Sequence, residues 1–274
     1  LYRLLNDEGL ATHRVFLPDV WEPLALPWPQ PARPILSVEA ERPLSTYPVI
    51  GVSVAYELEV AGLIRLLEGA GIPLLAAHRG ERDPILIAGG PLTNSNPSVL
   101  LPFVDLMIAG EAEHLLPAAL RELHEHRGRG RRRAIEAAAA LPSTCVGELD
   151  PGYFAPLPLP ARAPQELLPA YSAILTPDAE LADMFLVEPE RGCSRRCTFC
   201  VMRGPTAGGM RILDIERPLA VIPERARRVG LVGAAVTDLP HLEELVATIV
   251  EGGRGVAVSS LRADRLTPRV LRDL

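Results

Sequence analysis

The hydrophobic pattern of the chain alternates between short, continuous apolar runs and longer amphipathic segments. Continuous runs at residues 49–54, 84–88 and 106–109 are typical of strands that are buried on both faces of a sheet. Apolar residues recur at helical spacing over 58–67 and 114–126. This alternation predicts an α/β fold in which a doubly wound, Rossmann-like parallel sheet carries helices on both faces.

A second alternating pattern occupies the last third of the chain. Strands are predicted at 184–188, 229–236 and 256–260, with helices at 218–228 and 242–249. These β/α units predict the N-terminal part of a β/α barrel. Because a closed barrel needs more strands, we expect the barrel to be incomplete within this sequence.

The two patterns divide the chain into two domains with a connecting region between them. Residues 1–126 form the predicted Rossmann-like domain, and residues 181–274 form the predicted partial barrel. Residues 127–180 are predicted to be an Arg-rich hinge followed by a proline-rich linker. The arginine run at 127–133 favours a solvated loop over an RNA-binding patch.

Composition narrows the classes of function. All 28 basic residues are arginine, which excludes sites that need a P-loop lysine or a Schiff-base lysine. A net charge of −6 and an aromatic content of 4% argue against a nucleic-acid partner. The sequence contains neither a membrane-spanning apolar stretch nor the apolar region of a signal peptide, so we expect a cytoplasmic protein with no membrane partner.

The strongest chemical signal is a cluster of three cysteines, Cys193, Cys197 and Cys200, with the spacing C-x3-C-x2-C. Thiolates at this spacing on a tight loop converge on three corners of a [4Fe–4S] cluster, and the fourth iron stays open. Gly192 gives the loop the backbone freedom to fold around such a cluster. Phe199 would shield the cluster from solvent.

The cysteine motif has alternatives to a [4Fe–4S] cluster with an open iron. Arg195 and Arg196 would offset the negative charge of a thiolate-ligated cluster. Cys145 lies apart, in the proline-rich region, and is predicted to be a small buried hydrophobic residue. Structural zinc is less favoured because it normally takes four ligands, and a passive electron-transfer cluster is less favoured because it uses a fourth cysteine.

At this motif the chain resembles the radical S-adenosylmethionine (SAM) family. The cysteine spacing, the aromatic residue before the last cysteine and the position directly after a strand are typical of that family. The resemblance implies that Cys193, Cys197 and Cys200 ligate the cluster and that SAM chelates the open iron. It implies reductive cleavage of SAM to a 5′-deoxyadenosyl radical, which abstracts hydrogen from an unknown substrate, with methyl or methylthio transfer among the outcomes. It also implies an external one-electron donor such as a flavodoxin or ferredoxin.

The same resemblance supplies candidate contacts for SAM. Gly192 directly precedes Cys193, and Phe199 lies between Cys197 and Cys200. The family's Gly-Gly-Glu after the second barrel strand is absent here, and Asp238 lies in that region instead. Ser260 and Arg262 follow the third predicted strand, where they are positioned for the ribose or the carboxylate of SAM.

Two upstream segments, IAGGP at 87–91 and DLMIAGEAE at 105–113, resemble the cobalamin-binding-type domain that precedes many radical SAM barrels. The resemblance implies a cobalamin-type site at four residues: Gly89, Gly90, Gly110 and Glu111. The D-x-H-x-x-G motif of classical cobalamin proteins is absent around all 6 histidines. The domain therefore either binds cobalamin without that histidine or has kept the fold and lost the cofactor.

A different class of function stays open. The chain would then be a catalytically inactive iron–sulfur scaffold or a redox-sensing module, and SAM cleavage separates this class from the enzyme. Within the enzyme class, RNA modification is disfavoured by the net charge of −6.

Overall fold

The chain divides into two compact units, which we call unit 1 (residues 1–163) and unit 2 (residues 164–274). The computed structural model describes residues 1–17, 34–147, 157–195, 197–201 and 209–274. Residues 148–156 of the predicted linker, and Arg196, lie outside the described residues. No helix in the described part of the chain is long and apolar enough to cross a membrane.

Unit 1 is a mixed α/β unit whose main strands are parallel. Its elements are α1 (Tyr2–Asp7), β1 (Val49–Ser53), α2 (Glu59–Gly69), β2 (Ile85–Gly89), β3 (Leu106–Ile108), α3 (Leu115–His126), α4 (Arg131–Ala139) and β4 (Thr144–Val146). The sheet order is β1-β2-β3-β4, with β1, β2 and β3 parallel and β4 antiparallel to β3. The predicted α/β class and parallel sheet are therefore confirmed.

The strand order of unit 1 differs from that of a Rossmann sheet. A Rossmann sheet reverses its strand order at a switch point, whereas the described strands follow one another in chain order. The edge strand β4 lies within the region that the prolines mark as linker. β4 is a strand because it pairs with β3, and its three residues are too few to give a recognisable strand pattern in the sequence.

Both faces of the unit 1 sheet are covered, because the side chains of β2 alternate between them. Leu86 and Ala88 pack with α2 in one apolar cluster. Ile87 packs on the opposite face, in a cluster that includes Leu115 of α3 and Ala138 of α4. This two-sided burial explains why β2 is a continuous apolar run.

The arginine run is built into unit 1, since α4 begins at Arg131. The Arg131 guanidinium forms an ion pair with the Asp105 carboxylate at 2.7 Å, and Arg79 donates a hydrogen bond to the other oxygen of the same carboxylate at 3.1 Å. The Leu86 amide also donates to Asp105, at 2.8 Å. The side chains of Arg79, Asp105 and Arg131 are only 0%, 4% and 9% exposed. A buried ion-pair triad therefore fixes part of the segment that the sequence assigns to a hinge.

Unit 2 repeats β/α units around a parallel sheet of its own. Its elements are β5 (Met184–Val187), β6 (Glu190–Arg191), β7 (Arg211–Ile212), α5 (Glu216–Ala220), β8 (Arg228–Leu231), α6 (Leu242–Glu251), β9 (Gly255–Val258) and α7 (Pro268–Asp273). The described sheet has the order β5-β8-β9 with all strands parallel, and β6 and β7 form a separate antiparallel pair. All three strands therefore present their carboxyl ends at one edge.

The sheet of unit 2 packs against helix α6. Leu245 and Ile249 of α6 are fully buried against Val229 and Leu231 of β8. On the other side of β5, Tyr171 forms an antiparallel bridge to Val187. Residues of the predicted linker thus pair with the edge of β5, which occupies backbone groups that an edge strand otherwise leaves unpaired.

Replacement of Asp105 by asparagine should destabilise unit 1 by about 3–5 kcal/mol, because Arg79 and Arg131 would remain buried without their counter-charge. Hydrogen exchange of the β2 and β3 amides measures the free energy of opening for this region. The matched control is Glu136→Gln, which removes surface ion pairs to Arg132 and Arg133 and should cost no more than about 1 kcal/mol. Equal losses in both variants would contradict a structural role for the triad.

Candidate functional site

The cysteine motif lies on the loop that follows the short strand β6, which comes after the carboxyl end of β5. Gly192 has φ = 98°, a conformation that suits glycine, and it turns the chain into Cys193. The amide N–H of Arg195 donates to the Sγ atom of Cys193 at 3.4 Å. All three thiols are free, with Cys197 exposed and the other two partly buried. Three soft sulfur donors thus lie on one loop, and one of them already accepts a backbone hydrogen bond.

Asp238 ties this loop to the loops that follow β8 and β9. Its side chain is 7% exposed. Arg195 donates to both carboxylate oxygens, at 3.0 and 3.2 Å. Arg262 donates to Oδ1 at 3.2 Å, and Nε of Arg265 lies 3.7 Å from the same oxygen. One carboxylate is therefore shared by guanidinium groups from two loops.

Serine and threonine hydroxyls complete the connection between the β8 and β9 loops. Ser260 Oγ accepts a hydrogen bond from the Val236 amide at 3.0 Å. Thr237 Oγ1 accepts from the Arg262 amide at 3.1 Å. These bonds hold Ser260 and Arg262 beside the residues that precede Asp238. Of the candidate SAM contacts, the structure brings Asp238 and Arg262 into direct contact.

Phe199 is highly exposed to solvent. Its side chain is 89% exposed, and the neighbouring Val201 is 56% exposed. The Cys200 amide donates to the Cys197 carbonyl at 3.2 Å, which makes a turn and leaves the Phe199 ring in solvent. The shielding role expected for Phe199 is therefore not present in this conformation of the loop.

Glu190 is a buried carboxyl group that the sequence analysis missed. It is 0% exposed and lies on β6, directly before the cysteine loop. Its Oε1 accepts from the Ala235 amide at 2.9 Å, while Oε2 has no hydrogen-bond partner among the described residues. Burial raises the pKa of Glu190 to about 7; the carboxylates of Glu188 and Asp238 add to this rise, and the bond from Ala235 opposes it.

The loop after β8 is shaped around this carboxyl group. A Cβ atom on Gly233 would lie only 2.2 Å from Glu190 Oε1, so a larger residue does not fit there. The apolar run at 229–236 predicts a longer strand, but β8 ends at Leu231. It ends there because the Gly233 amide bonds to Ser259 Oγ at 3.1 Å and the chain turns towards Glu190.

In unit 1, the four candidate cobalamin-type residues line one cavity of about 1310 Å³. These residues are Gly89, Gly90, Gly110 and Glu111. The cavity also extends over Gly51 of β1, whose missing side chain leaves open space: a Cβ there would have no heavy atom within 4 Å. Ligand pockets for drug-sized molecules span about 300–1,000 Å³, so this cavity has room for a larger ligand.

Three of these four residues also have roles inside the protein. A Cβ on Gly90 would lie 2.7 Å from backbone atoms of Val54, and one on Gly110 would lie 2.5 Å from the Ala161 carbonyl oxygen. Glu111 accepts a hydrogen bond from the Ala163 amide at 2.7 Å. Close backbone packing therefore accounts for glycine at both positions, independently of any ligand.

Comparison with known families decides the family of this chain. The family described as "Radical SAM proteins, N-terminal" matches residues 1–146, more than half of the chain. The chain is a radical SAM protein. The match ends at the last residue of β4 and lies within unit 1. The family resemblance found in the sequence is therefore confirmed.

One curated relative of this radical SAM protein is an uncharacterised protein of Methanocaldococcus jannaschii. It is 26% identical over 242 residues, which cover 84% of this chain and 48% of the relative. The chain thus spans about half the length of the curated relative that it matches. Among solved structures, the chain is similar to the radical SAM methyltransferase TsrM from Kitasatospora setae, whose structure has cobalamin and a [4Fe–4S] cluster bound. The TM-score is 0.45 and the sequence identity is 14%. The match covers 74% of this chain and 40% of TsrM.

Cys145 belongs to a different unit from the motif cysteines. It is in β4 of unit 1, opposite Met107 of β3, while the three motif cysteines are in unit 2. Burial raises the pKa of its thiol, which disfavours the thiolate that a metal would need.

Glu190→Gln should remove a pH-dependent destabilisation of this radical SAM protein. Below pH 4.5 the carboxyl is protonated in both the folded and unfolded states. Between pH 4.5 and about 7 the unfolded state ionises while the folded state keeps its proton, so stability falls as pH rises. The free energy of unfolding of the variant, relative to wild type, should therefore increase by about 3 kcal/mol across this range.

Urea denaturation at a series of pH values measures this trend. Glu251→Gln, at an exposed position that ends α6, is the control and should keep the wild-type pH dependence. A constant difference between Glu190→Gln and wild type at every pH would show that Glu190 is not responsible.

Proposed function

We propose that this chain is an enzyme that binds a [4Fe–4S] cluster through Cys193, Cys197 and Cys200 and cleaves SAM reductively. Family membership supports the class of chemistry. The observation that carries the assignment is the free three-thiol loop at the carboxyl end of β5, with an amide hydrogen bond already on Cys193 Sγ.

The residues of the loop fit a cluster chemically. Thiolate sulfur is the ligand that iron–sulfur clusters take, and N–H groups directed at the sulfur stabilise its negative charge. Arg195 supplies both the amide and a nearby guanidinium. With three cysteines in the motif, the fourth coordination position is left to a small molecule rather than to a protein side chain.

The carboxyl edge of the unit 2 sheet is the proposed site for SAM. Ligands of parallel β/α units bind at the carboxyl ends of the strands. Ser260 and Arg262 lie on the β9 loop at this edge, Gly192 directly precedes Cys193, and Phe199 lies between Cys197 and Cys200. In the proposal, Arg262 supplies a cation for the carboxylate of SAM and Ser260 a hydroxyl for its ribose.

When bound, the cluster and SAM supply a one-electron cleavage that generates a carbon radical for hydrogen abstraction from substrate. In the proposal, the residues of this chain hold the two cofactors together at the sheet edge. The electron comes from an external donor such as a flavodoxin or ferredoxin. The substrate is an organic molecule whose identity the proposal leaves open.

Replacing Cys193, Cys197 or Cys200 by alanine should abolish assembly of the cluster, because each change removes a thiolate that holds one iron. Iron and sulfide content after anaerobic reconstitution measures assembly. Cys145→Ala is the matched control, since this thiol is in the other unit and should leave cluster content unchanged. Full iron and sulfide in any of the first three variants would contradict the ligand assignment.

Electron paramagnetic resonance of the reduced, reconstituted chain tests the SAM part of the proposal. The signal should change when SAM is added, because SAM binds directly to the open iron. A cluster that does not respond to SAM would favour the iron–sulfur scaffold or redox-sensing module. Zinc bound in place of the cluster would reject both interpretations.

A second binding function is supported by the cavity in unit 1. We propose that this cavity holds a cobalamin, with Gly89, Gly90, Gly110 and Glu111 at its rim. The supporting observation is that these four residues line a single cavity of about 1310 Å³. Corrinoid chemistry would supply a methyl carrier for the radical reaction, and Gly51 would allow the ligand to approach the face of β1.

Gly51→Val tests this cavity with little risk to the fold. The position is in a strand, has open space around it, and accepts a β-branched residue. The added side chain would fill the cavity and should weaken cobalamin binding at least about tenfold, or about 1.4 kcal/mol. Equilibrium dialysis followed by corrin absorbance measures the affinity.

Gly62→Ala on α2 is the matched control, because this glycine also has open space around it and is not among the described residues that line the cavity. It should bind cobalamin as wild type does. No binding by the wild-type chain would remove cobalamin from the proposal and leave the cluster assignment intact.

A further inference from the structure

Asp238 is in the position where the sequence predicts a contact for SAM, yet its carboxylate is already committed within the protein. Arg195 engages both oxygens, and Arg262 and Arg265 lie on Oδ1. With the side chain 7% exposed, little of this carboxylate faces solvent. A carboxylate in a bidentate pair with one arginine, and shared with two more, is a strong fixed acceptor and a poor site for an incoming ligand.

Arg195 connects this carboxylate to the cysteine loop. Its guanidinium is held by Asp238, while its backbone N–H lies 3.4 Å from Cys193 Sγ. The side-chain pair therefore fixes the residue whose amide is directed at the sulfur. Asp238 is 43 positions away along the chain, so this restraint comes from the fold and not from the loop itself.

We propose that Asp238 is a positioning residue of the iron–sulfur site: by fixing Arg195, it holds the Arg195 N–H on Cys193 Sγ and thereby sets the reduction potential of the cluster. This inference rests on the proposed cluster assignment. The physical basis is that hydrogen bonds to the ligand sulfurs tune the potential of an iron–sulfur cluster. An N–H directed at a thiolate stabilises the reduced form, which carries one more negative charge.

The geometry distinguishes Asp238 from its neighbour Asp264. Asp264 pairs with Arg262 at 2.6 Å on the same loop, but it is 63% exposed, and its hydrogen bonds and ion pairs within the described part of the chain do not include Arg195. Both aspartates bring the same charge to the same edge of the sheet. Only Asp238 reaches the cysteine loop through an arginine.

The test uses substitutions that keep every charge and change only the geometry. Arg195→Lys replaces the two-pronged guanidinium with a single ammonium, and Asp238→Glu moves the carboxylate by one methylene. The chain is reconstituted with iron and sulfide, and the one-electron couple between the 2+ and 1+ cluster is titrated anaerobically with dithionite, which supplies the electron. Electron paramagnetic resonance monitors the fraction reduced.

Each of these variants should shift the midpoint potential to more negative values, because a loosened N–H stabilises the reduced cluster less. The double variant should shift it no further than the larger single shift, since both changes break the same interaction. Asp264→Glu should leave the potential at the wild-type value. Arg195 is 41% exposed, so Arg195→Lys keeps the test valid if Asp238→Glu folds poorly.

Two results would overturn the inference alone: an unshifted potential in Arg195→Lys and Asp238→Glu, or shifts that add in the double variant. A shift in Asp264→Glu equal to that in Asp238→Glu would also overturn it, because it would show a general effect of the sheet edge. A wild-type chain that assembles no cluster would overturn the proposed function, and this inference with it.

Discussion

Each unit depends on the sharing of one buried aspartate among several arginines. Asp105 in unit 1 accepts from Arg79 and forms an ion pair with Arg131, and Asp238 in unit 2 accepts from Arg195 and Arg262. A guanidinium presents its donors in a rigid, planar fork, so one carboxylate can fix more than one segment of chain. The chain has 28 basic residues and all are arginine, which makes such shared pairs available throughout the fold.

The energetics of the two aspartates differ because their burial differs. In unit 1 the triad is almost fully buried, and the contacts that its charges make with the described residues are to one another and to backbone groups. In unit 2 the aspartate is buried but its arginines reach solvent. The first arrangement fixes the sheet and its helices. The second fixes loops at an edge where ligands have access.

The sequence predicts the strands and helices of this fold better than the tertiary contacts between them. Continuous apolar runs locate β1, β2 and β3 because strands buried on both faces leave that pattern. The pattern misses β4, which is three residues long and lies among prolines. It also assigns Arg131 to a solvated hinge, since a run of arginines carries no sign that one of them pairs with a buried aspartate.

In the candidate site, too, the sequence predicts the positions of residues better than the contacts between them. The cysteine motif, Asp238 and Arg262 are all predicted at the carboxyl edge, because topology alone brings strand ends together. Glu190 is missed, although an acidic residue between an apolar strand and the cysteines was a visible signal. The bond from Ala235 to Glu190 joins residues 45 positions apart, and such pairing depends on the register of β5 and β8.

The hydrogen bond between Glu111 and Ala163 holds the segment through which the chain leaves unit 1. Ala163 is the last residue of unit 1, and Ala161 is held beside Gly110 by backbone bonds to Ala109 and Glu111. The path by which the chain leaves unit 1 is therefore anchored to the rim of the cavity. A ligand that bound the Glu111 carboxylate would compete with this hydrogen bond from Ala163. The order of the exit segment would then depend on whether the cavity is filled.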